Sequence, residues 1–356
     1  MPVTLPAPVR VMIVEDSLVV RRLLAHIVSR DARLELAAAV ASAEEALQEL
    51  PRVRPDVISM DIRLPGMDGL EATRRIMAEQ PTPIVVIADS VRDATFGISM
   101  NALRAGALSV VEKPVGIATG GHEQIADTIC TQLFIMSQVA VIRQRAPAAA
   151  APRVPASVTV LPPPLSPGML AIAASTGGPP ALAQVLGALP RDCPVPVLLV
   201  QHMGAPFMEG FASWLDGLVP MPVALAQDGE LPRPGRVYVA PGDRHLLLTT
   251  AGTLRLSAER PLASQRPSAT LLFRSVAEAM GARALGVLLT GMGEDGAAGM
   301  AELRRAGGYA ITEAESTAVV YGMPAAAVRL GGSSASLPLP AIGPRLQQLL
   351  KRDARA

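Results

Sequence analysis

Short apolar runs recur along the first third of the chain, and a helical pattern of apolar and polar positions separates each run from the next. The runs lie at 11–14, 37–41, 56–61, 84–87 and 108–111. Apolar runs without alternation are typical of strands that are buried on both faces. Alternating strands and helices of this kind, including a helix over 95–105, predict a parallel sheet with helices on both of its faces.

A second series of apolar runs begins at residue 168. It predicts strands at 169–174, 197–202, 236–240 and 285–290, a hairpin over 246–256, and helices at 180–189, 270–280 and 297–306. The segment 147–167 between the two series is rich in proline and alanine, which is typical of an extended tether. The chain is therefore predicted to form two doubly wound α/β domains, at 8–125 and 168–350, joined by a helical extension and linker at 126–167.

The composition excludes several classes of protein. Half of the residues (50%) are hydrophobic, 18% are charged, and the formal net charge is +1, so no basic surface for nucleic acid is indicated. Prolines interrupt the longest uncharged stretch, 154–190, and the first residues lack the basic and apolar regions of a secretory signal. A cytoplasmic protein without membrane insertion is expected. Cys130 and Cys193 lie far apart, which favours two buried thiols over a disulfide or a metal site.

Charged residues stand at the carboxyl ends of three predicted strands in the first domain. They are Glu15, Asp16, Asp61 and Lys113. Since the carboxyl ends of parallel strands meet at one edge of a sheet, these side chains are expected to converge. Three carboxylates repel one another unless a cation lies among them, and Mg²⁺ prefers such oxygen ligands. We therefore predict Mg²⁺ at Glu15, Asp16 and Asp61, with Asp61 as a phosphoryl acceptor and Lys113 as its counter-charge. The alternative is a set of unrelated solvated charges.

Residues 8–125 resemble the receiver domain of response regulators. The resemblance rests on the pair Glu15-Asp16, on Asp61 within Met-Asp-Ile-Arg-Leu-Pro-Gly-Met-Asp-Gly, and on Lys113 before proline. It implies a flavodoxin-like (βα)5 fold with bound Mg²⁺ and phosphorylation of Asp61 by a histidine kinase.

The receiver pattern has two departures in this chain. Ala88 stands where the family carries a serine or threonine, and Val110 stands where an aromatic residue is usual. Both positions normally sense the phosphoryl group, so the departures imply weakened or rewired coupling to output. Ser90 is an alternative source of the missing hydroxyl.

The second domain offers a candidate nucleophile at Ser175. Apolar residues 169–174 precede it, and two glycines and two prolines follow it, which predicts a strand, a sharp turn and a helix. A hydroxyl at such a junction is exposed at the sheet edge, next to backbone N–H groups that can face negative charge. The alternatives are a helix cap or a phosphate-binding loop.

Candidate partners for Ser175 lie at the ends of other predicted strands. His202 follows the strand 197–201, and Asp295 lies in a glycine-rich loop after 285–290. A base must lie within hydrogen-bond reach of a nucleophile, and an acid can orient that base. Asp243 and His245 compete for these roles, and Asp295 could instead cap its own helix.

Residues 168–335 resemble the catalytic domain of the chemotaxis protein-glutamate methylesterase family. The matching motifs are Ala-Ser-Thr-Gly-Gly at 174–178, Gln-His-Met at 201–203, Ala-Pro-Gly-Asp at 240–243, Arg-Pro-Ser at 266–268, Leu-Thr-Gly-Met-Gly-Glu-Asp-Gly-Ala at 289–297 and Val-Tyr-Gly-Met-Pro at 320–324. The resemblance assigns the catalytic roles to Ser175, His202 and Asp295, and the backbone N–H groups of Thr176 and Met292 are the expected oxyanion donors.

The two resemblances together imply a phosphorylation-regulated methylesterase. Its substrates would be methylated chemoreceptors, glutamine deamidation is a second expected reaction, and the esterase step would need no cofactor. A monomer is expected, in which the receiver covers the active site until Asp61 is modified. Two other hypotheses remain open: a catalytically idle signalling adaptor, which Ala88 and Val110 favour, and a serine hydrolase that acts on a small ester.

Overall fold

The computed structural model describes residues 7–88, 105, 107, 109–114, 122–138 and 167–351. The chain divides into two compact units, residues 1–151 and 152–356. Ser90, and nearly all of the predicted helix 95–105 and linker 147–167, lie outside the described residues. No described helix combines the length and the apolar character that crossing a bilayer requires.

The first unit contains a five-stranded parallel sheet. Its strands are β1 (Val9–Val14), β2 (Leu34–Val40), β3 (Val57–Met60), β4 (Ile84–Ala88) and β5 (Ser109–Glu112), and the described helices are α1 (Leu18–Arg30), α2 (Ala43–Val53), α3 (Gly69–Glu79) and α4 (His122–Ser137). The strand order is β2-β1-β3-β4-β5, and every adjacent pair is parallel. The predicted α/β fold of this half is confirmed.

The order of the strands explains where charged residues collect in the first unit. The chain runs from β1 outward to β2 and then crosses to β3 on the other side of β1. Loops leave the sheet in opposite directions at this switch point, which opens a crevice at the carboxyl ends of β1 and β3. Glu15 directly follows β1, and Asp61 directly follows β3.

The second unit contains a seven-stranded parallel sheet and a separate hairpin. The sheet strands are β6 (Met169–Ala174), β7 (Val197–Gln201), β8 (Val223–Leu225), β9 (Val237–Val239), β12 (Ala284–Leu288), β13 (Tyr309–Glu313) and β14 (Ala335–Leu337), and the antiparallel hairpin is β10 (His245–Leu248) with β11 (Leu254–Ser257). The helices are α5 (Gly178–Gly187), α6 (Met208–Asp216), α7 (Ala269–Met280), α8 (Ala297–Arg305), α9 (Met323–Arg329) and α10 (Leu339–Leu350). The α/β prediction for this half is confirmed as well.

Strand β6 occupies the centre of the larger sheet, in the order β14-β13-β12-β6-β7-β9-β8. All six of its residues are buried, as the run without alternation predicted. Ala174 pairs with Gln201 of β7, and Ala173 pairs with Leu288 of β12. The carboxyl ends of β6, β7 and β12 therefore lie side by side, and the loops that follow them begin at the same edge.

Candidate active site

Ser175 lies at the junction between β6 and α5. Its backbone N–H donates to the carbonyl of Thr290 (3.0 Å), and its carbonyl accepts from the N–H of Gly178 (2.8 Å). The turn passes through Gly177, whose φ of 75° belongs to the left-handed region that glycine adopts without strain. The geometry thus fixes the backbone of Ser175 from both sides and leaves its side chain at the sheet edge.

His202 lies beside Ser175 because each follows its strand by one residue. The His202 N–H donates to the carbonyl of Ala174 (3.1 Å). The side-chain amide of Gln201 adds a second link, since its Nε2 donates to the carbonyls of both Ser175 (2.8 Å) and His202 (3.0 Å). Gln201 is buried, so one amide group holds the backbones of the candidate nucleophile and base together away from solvent.

The third strand end brings Asp295 to the His202 ring. Nε2 of His202 and Oδ2 of Asp295 are 2.9 Å apart, and both side chains are buried. If Nε2 carries the proton of this hydrogen bond, Nδ1 is the nitrogen with a free lone pair. That nitrogen is the one available as a base for a neighbouring hydroxyl.

Asp295 is held in place by the first turn of α7. Its carboxylate accepts from the Ser268 hydroxyl (2.8 Å) and from the backbone N–H groups of Ala269 (2.7 Å) and Thr270 (3.0 Å). Burial opposes ionisation of this carboxyl, but hydrogen bonds from His202 and Thr270 outweigh it and lower the pKa to about 2. Asp295 is therefore ionised at neutral pH and is oriented toward His202.

The two competing candidates, His245 and Asp243, make other contacts in the structure. His245 is fully buried; its Nδ1 accepts from the Ser268 N–H (3.1 Å), and its Nε2 lies 3.2 Å from the Arg260 carbonyl. Both ring nitrogens of His245 thus form hydrogen bonds with backbone groups. Asp243 has a side chain that is 72% exposed, and its carboxylate lies 4.0 Å from Arg266.

Two backbone N–H groups near Ser175 are available to bind an oxyanion. Within the part of the chain that the structure describes, no hydrogen bond uses the N–H of Thr176 or of Met292. The loop that carries Met292 is fixed on its other side, because the carbonyl of Gly291 accepts from Gly322 (3.1 Å) and Met323 (2.8 Å). Free donors on an immobilised loop are what stabilisation of a developing oxyanion requires.

Gly291 allows this loop to approach the candidate nucleophile. A Cβ added at Gly291 would lie 2.7 Å from Cβ of Ser175 and would also overlap Sδ of Met323. We expect Gly291→Ala to displace Ser175 and to lower the catalytic rate by about 10²-fold, since a displacement of about 1 Å at a reacting centre has an effect of that order. Gly187→Ala is the matched control, because a Cβ there meets nothing within 4 Å. Equal activity of the two variants would contradict this packing.

Several supporting residues were not predicted from the sequence. Ser268 orients Asp295, while Thr290 and Glu313 contact the loop behind Ser175. Glu313 ends β13 as a carboxylate after an apolar strand, the same signal that identified Asp61. Because the strand itself was not predicted, that signal was missed.

The charged residues of the first unit form one buried cluster. Nζ of Lys113 lies 2.9 Å from a carboxylate oxygen of Glu15 and 2.9 Å from one of Asp61. Burial and the neighbouring Asp61 raise the pKa of Glu15, and burial raises the pKa of Asp61 despite Lys113. Burial works against the charge on Lys113, but the two carboxylates outweigh it and raise its pKa. Two buried carboxyl groups thus share one lysine, and their raised pKa values mean that Lys113 alone does not compensate for the burial of both charges.

This group of carboxyl side chains fits a divalent cation. One oxygen from each of Glu15, Asp16 and Asp61 lies within 4.8 Å of the others, and Asp16 is exposed at the mouth of the cluster. Three carboxylate oxygens are ligands that suit Mg²⁺, which usually keeps several waters. The donor set thus agrees with the magnesium site that the sequence predicted.

Ala88 lies on β4 and Val110 on the neighbouring strand β5. Ala88 is buried at the end of β4, and its carbonyl accepts from the Lys113 N–H (2.9 Å). Val110 is partly buried and pairs with Val86. The backbone of Ala88 therefore positions Lys113, while its methyl side chain offers no hydroxyl.

Comparisons with known proteins identify two domain families. Residues 170–346 match the family model described as CheB methylesterase, and residues 11–120 match that of the response regulator receiver domain. The chain is 53% identical to protein-glutamate methylesterase/protein-glutamine glutaminase 2 of Paramagnetospirillum magneticum, over 96% of this chain and 97% of that protein. It is 45% identical to a protein of Myxococcus xanthus with the same designation and the number 4, over 95% and 96% of the two chains.

A solved structure is similar to the second unit. The crystal structure of the Thermotoga maritima CheB methylesterase catalytic domain matches with a TM-score of 0.50 and 36% identity, covering 52% of this chain and 100% of that chain. The relatives thus span both units, and the solved structure spans the one that contains Ser175, His202 and Asp295. On this evidence the chain belongs to the CheB methylesterase family and carries a response regulator receiver domain.

Proposed function

We propose that this protein hydrolyses glutamate γ-methyl esters on chemoreceptors, and deamidates glutamine side chains, under control of phosphorylation at Asp61. The observation that carries the chemical part is the 2.9 Å hydrogen bond between His202 and the ionised Asp295 at the sheet edge that also bears Ser175. The names of the relatives support the methyl ester of protein glutamate and the side chain of protein glutamine as the groups acted on. The function implies a cytoplasmic protein.

The proposed reaction has two halves that pass through an acyl-enzyme. Oγ of Ser175 attacks the γ-carbonyl carbon while His202 accepts the hydroxyl proton, and Asp295 stabilises the resulting imidazolium. The C–O bond to the methoxy group then breaks, and His202 donates the proton so that methanol leaves. A water molecule, deprotonated by His202, attacks the acyl carbon and restores Ser175 with a free glutamate. With a glutamine substrate, ammonia leaves in place of methanol.

The carbonyl oxygen of the substrate becomes negatively charged in both halves. The N–H groups of Thr176 and Met292, which form no hydrogen bond within the described residues, would donate to this oxygen. Loss of one such donor costs about 10²-fold or more in rate in hydrolases of this kind.

The regulatory part of the proposal concerns Asp61. A carboxylate oxygen of Asp61 attacks the phosphorus of a phosphohistidine on the kinase, the P–N bond breaks, and an acyl phosphate forms. Glu15, Asp16 and Asp61 would hold Mg²⁺, which when bound neutralises charge on the phosphoryl oxygens. Lys113, already in contact with Asp61, provides the positive charge that faces the phosphoryl group.

Methanol release from a methylated receptor tests both parts. We expect the full chain to release methanol, and a small acyl-phosphate donor with Mg²⁺ to raise the rate. Asp61→Asn should keep the basal rate and lose the increase, because an amide cannot form the acyl phosphate. Release that the donor leaves unchanged in wild type would contradict the regulatory part alone.

The same assay separates the other hypotheses. A folded chain that binds receptor but releases no methanol would be the signalling adaptor. Hydrolysis of small esters without methanol release from receptors would indicate a different substrate class. Either result would contradict the proposed methylesterase activity.

A further inference from the structure

Glu313 is a buried carboxylate that the proposed reaction leaves without a role. It ends β13, and its side chain is fully buried. Oε2 accepts from the backbone N–H of Thr290 (2.8 Å), and Oε1 accepts from the hydroxyl of Thr317 (3.1 Å). Burial raises the pKa of the carboxyl although both hydrogen bonds lower it, and no charged group contributes to the shift. Because burial disfavours the ionised form of this carboxyl, its presence at this position needs a structural reason.

The end of the ladder between β12 and β13 provides that reason. The register runs from Leu285 opposite Tyr309 to Leu288 opposite Thr312. On the β13 side the strand pairing ends at this point, so the N–H of Thr290 lies beyond the ladder. Buried backbone N–H groups need an acceptor. The side chain of Glu313 supplies it at the residue where the loop begins.

Thr290 in turn holds the backbone around the candidate nucleophile through two of its atoms, the carbonyl oxygen and the hydroxyl oxygen. Its carbonyl accepts from the Ser175 N–H (3.0 Å). Its hydroxyl donates to the carbonyl of Thr176 (2.9 Å) and accepts from the N–H of Val320 (2.9 Å). Thr290 is itself buried. Peptide groups next to Ser175 are therefore hydrogen-bonded to Thr290, and the backbone N–H of Thr290 is hydrogen-bonded to Glu313.

We propose that Glu313 is a positioning residue of the active site: through Thr290 it sets the peptide units of Ser175 and Thr176 that orient the nucleophile and an oxyanion donor. The role rests on the proposed function, because it concerns the same reaction. If this role is correct, removal of the hydrogen-bond acceptor at position 313 lowers kcat, because the oxyanion forms only after the substrate has bound. Substrate binding, and so KM, should change little.

Three variants test this role in the full chain, with kcat and KM for methanol release and thermal unfolding measured for each. Glu313→Met keeps the length of the side chain and removes the acceptor, and kcat should fall by about 10²-fold. Glu313→Gln keeps an oxygen for Thr290, and its amide can donate to Thr317, so it should recover most of the lost kcat. Thr290→Val removes the hydroxyl bond to Thr176 and should lower kcat even if the methionine variant does not fold.

Ser334→Ala is the matched control for lost buried hydrogen bonding. The Ser334 hydroxyl accepts from the Ala310 N–H (3.1 Å) near the other end of β13, so its loss should lower the unfolding temperature and leave kcat unchanged. The positioning role is wrong if folded Glu313→Met has the wild-type kcat, if glutamine fails to recover the activity, or if Thr290→Val keeps the wild-type kcat. Absence of methanol release by wild type would instead contradict the proposed function.

Discussion

Ser175→Ala is expected to lower the rate of methanol release from a methylated receptor by about 10⁶-fold, the loss seen when a Ser-His-Asp hydrolase loses its nucleophile. The reason is geometric. The Ser175 backbone is fixed by Thr290 and Gly178 beside His202, and no other hydroxyl in the proposed reaction has this position. Single-turnover assays with a coupled methanol readout measure the difference.

Ser213→Ala is the control for this variant. Ser213 is an exposed serine of α6, so its hydroxyl can be removed without touching the sheet edge, and activity should stay at the wild-type level. Thermal unfolding should be similar for both variants. Turnover by folded Ser175→Ala near the wild-type rate would move the nucleophile elsewhere.

Asp295→Asn should lower kcat by about 10⁴-fold, as expected when the acid that orients a catalytic histidine loses its charge. An asparagine side chain has one acceptor oxygen, whereas the Asp295 carboxylate accepts from Ser268, Ala269, Thr270 and His202. The amide N–H group of the asparagine would point at one of these donors and could not accept its hydrogen bond. The His202 ring would then lose its fixed orientation. Asp243→Asn is the matched control: that carboxylate is exposed, so the same substitution there should leave kcat unchanged.

Asp295→Asn should also change how the free energy of unfolding depends on pH. The pKa of Asp295 is about 2 in the folded protein, whereas the ordinary value for an aspartate is 3.8. The ionised carboxylate therefore stabilises the fold by about 2 kcal/mol above pH 4, and that contribution is lost as the pH falls through the folded value. The difference in unfolding free energy between wild type and Asp295→Asn should shrink as the pH falls from 4 toward 2. Denaturant unfolding at each pH measures it, and a difference that does not depend on pH would contradict the assignment.

Sequence patterns predicted the features that depend on residues close together in the chain. The uninterrupted run at 169–174 predicted a buried strand, and β6 is the centre of its sheet. Residues directly after strands, among them Ser175, His202 and Asp61, could be chosen because parallel strands place their carboxyl ends at one edge. The resemblance to known families then chose among the remaining candidates.

Contacts between distant segments could not be predicted in the same way. The sequence left open whether Asp295 caps its own helix; the structure shows it bound to the first turn of α7, which lies earlier in the chain. His245 and Asp243 also follow a predicted strand, and only the structure shows that the His245 ring is bonded to backbone groups and that the Asp243 side chain is exposed. Strand β13 has only three apolar residues before Thr312, so its apolar signal was too weak to reveal Glu313.

The central claim is that Ser175 forms an acyl-enzyme with the methylated side chain. Its most direct test is to mix the full-length protein with a methylated receptor peptide, quench with acid within the first turnover, and map the covalent adduct by mass spectrometry. We predict a glutamyl ester on the fragment that contains Ser175, with one methanol released for each adduct. An adduct on another residue that accounts for the released methanol would contradict the claim.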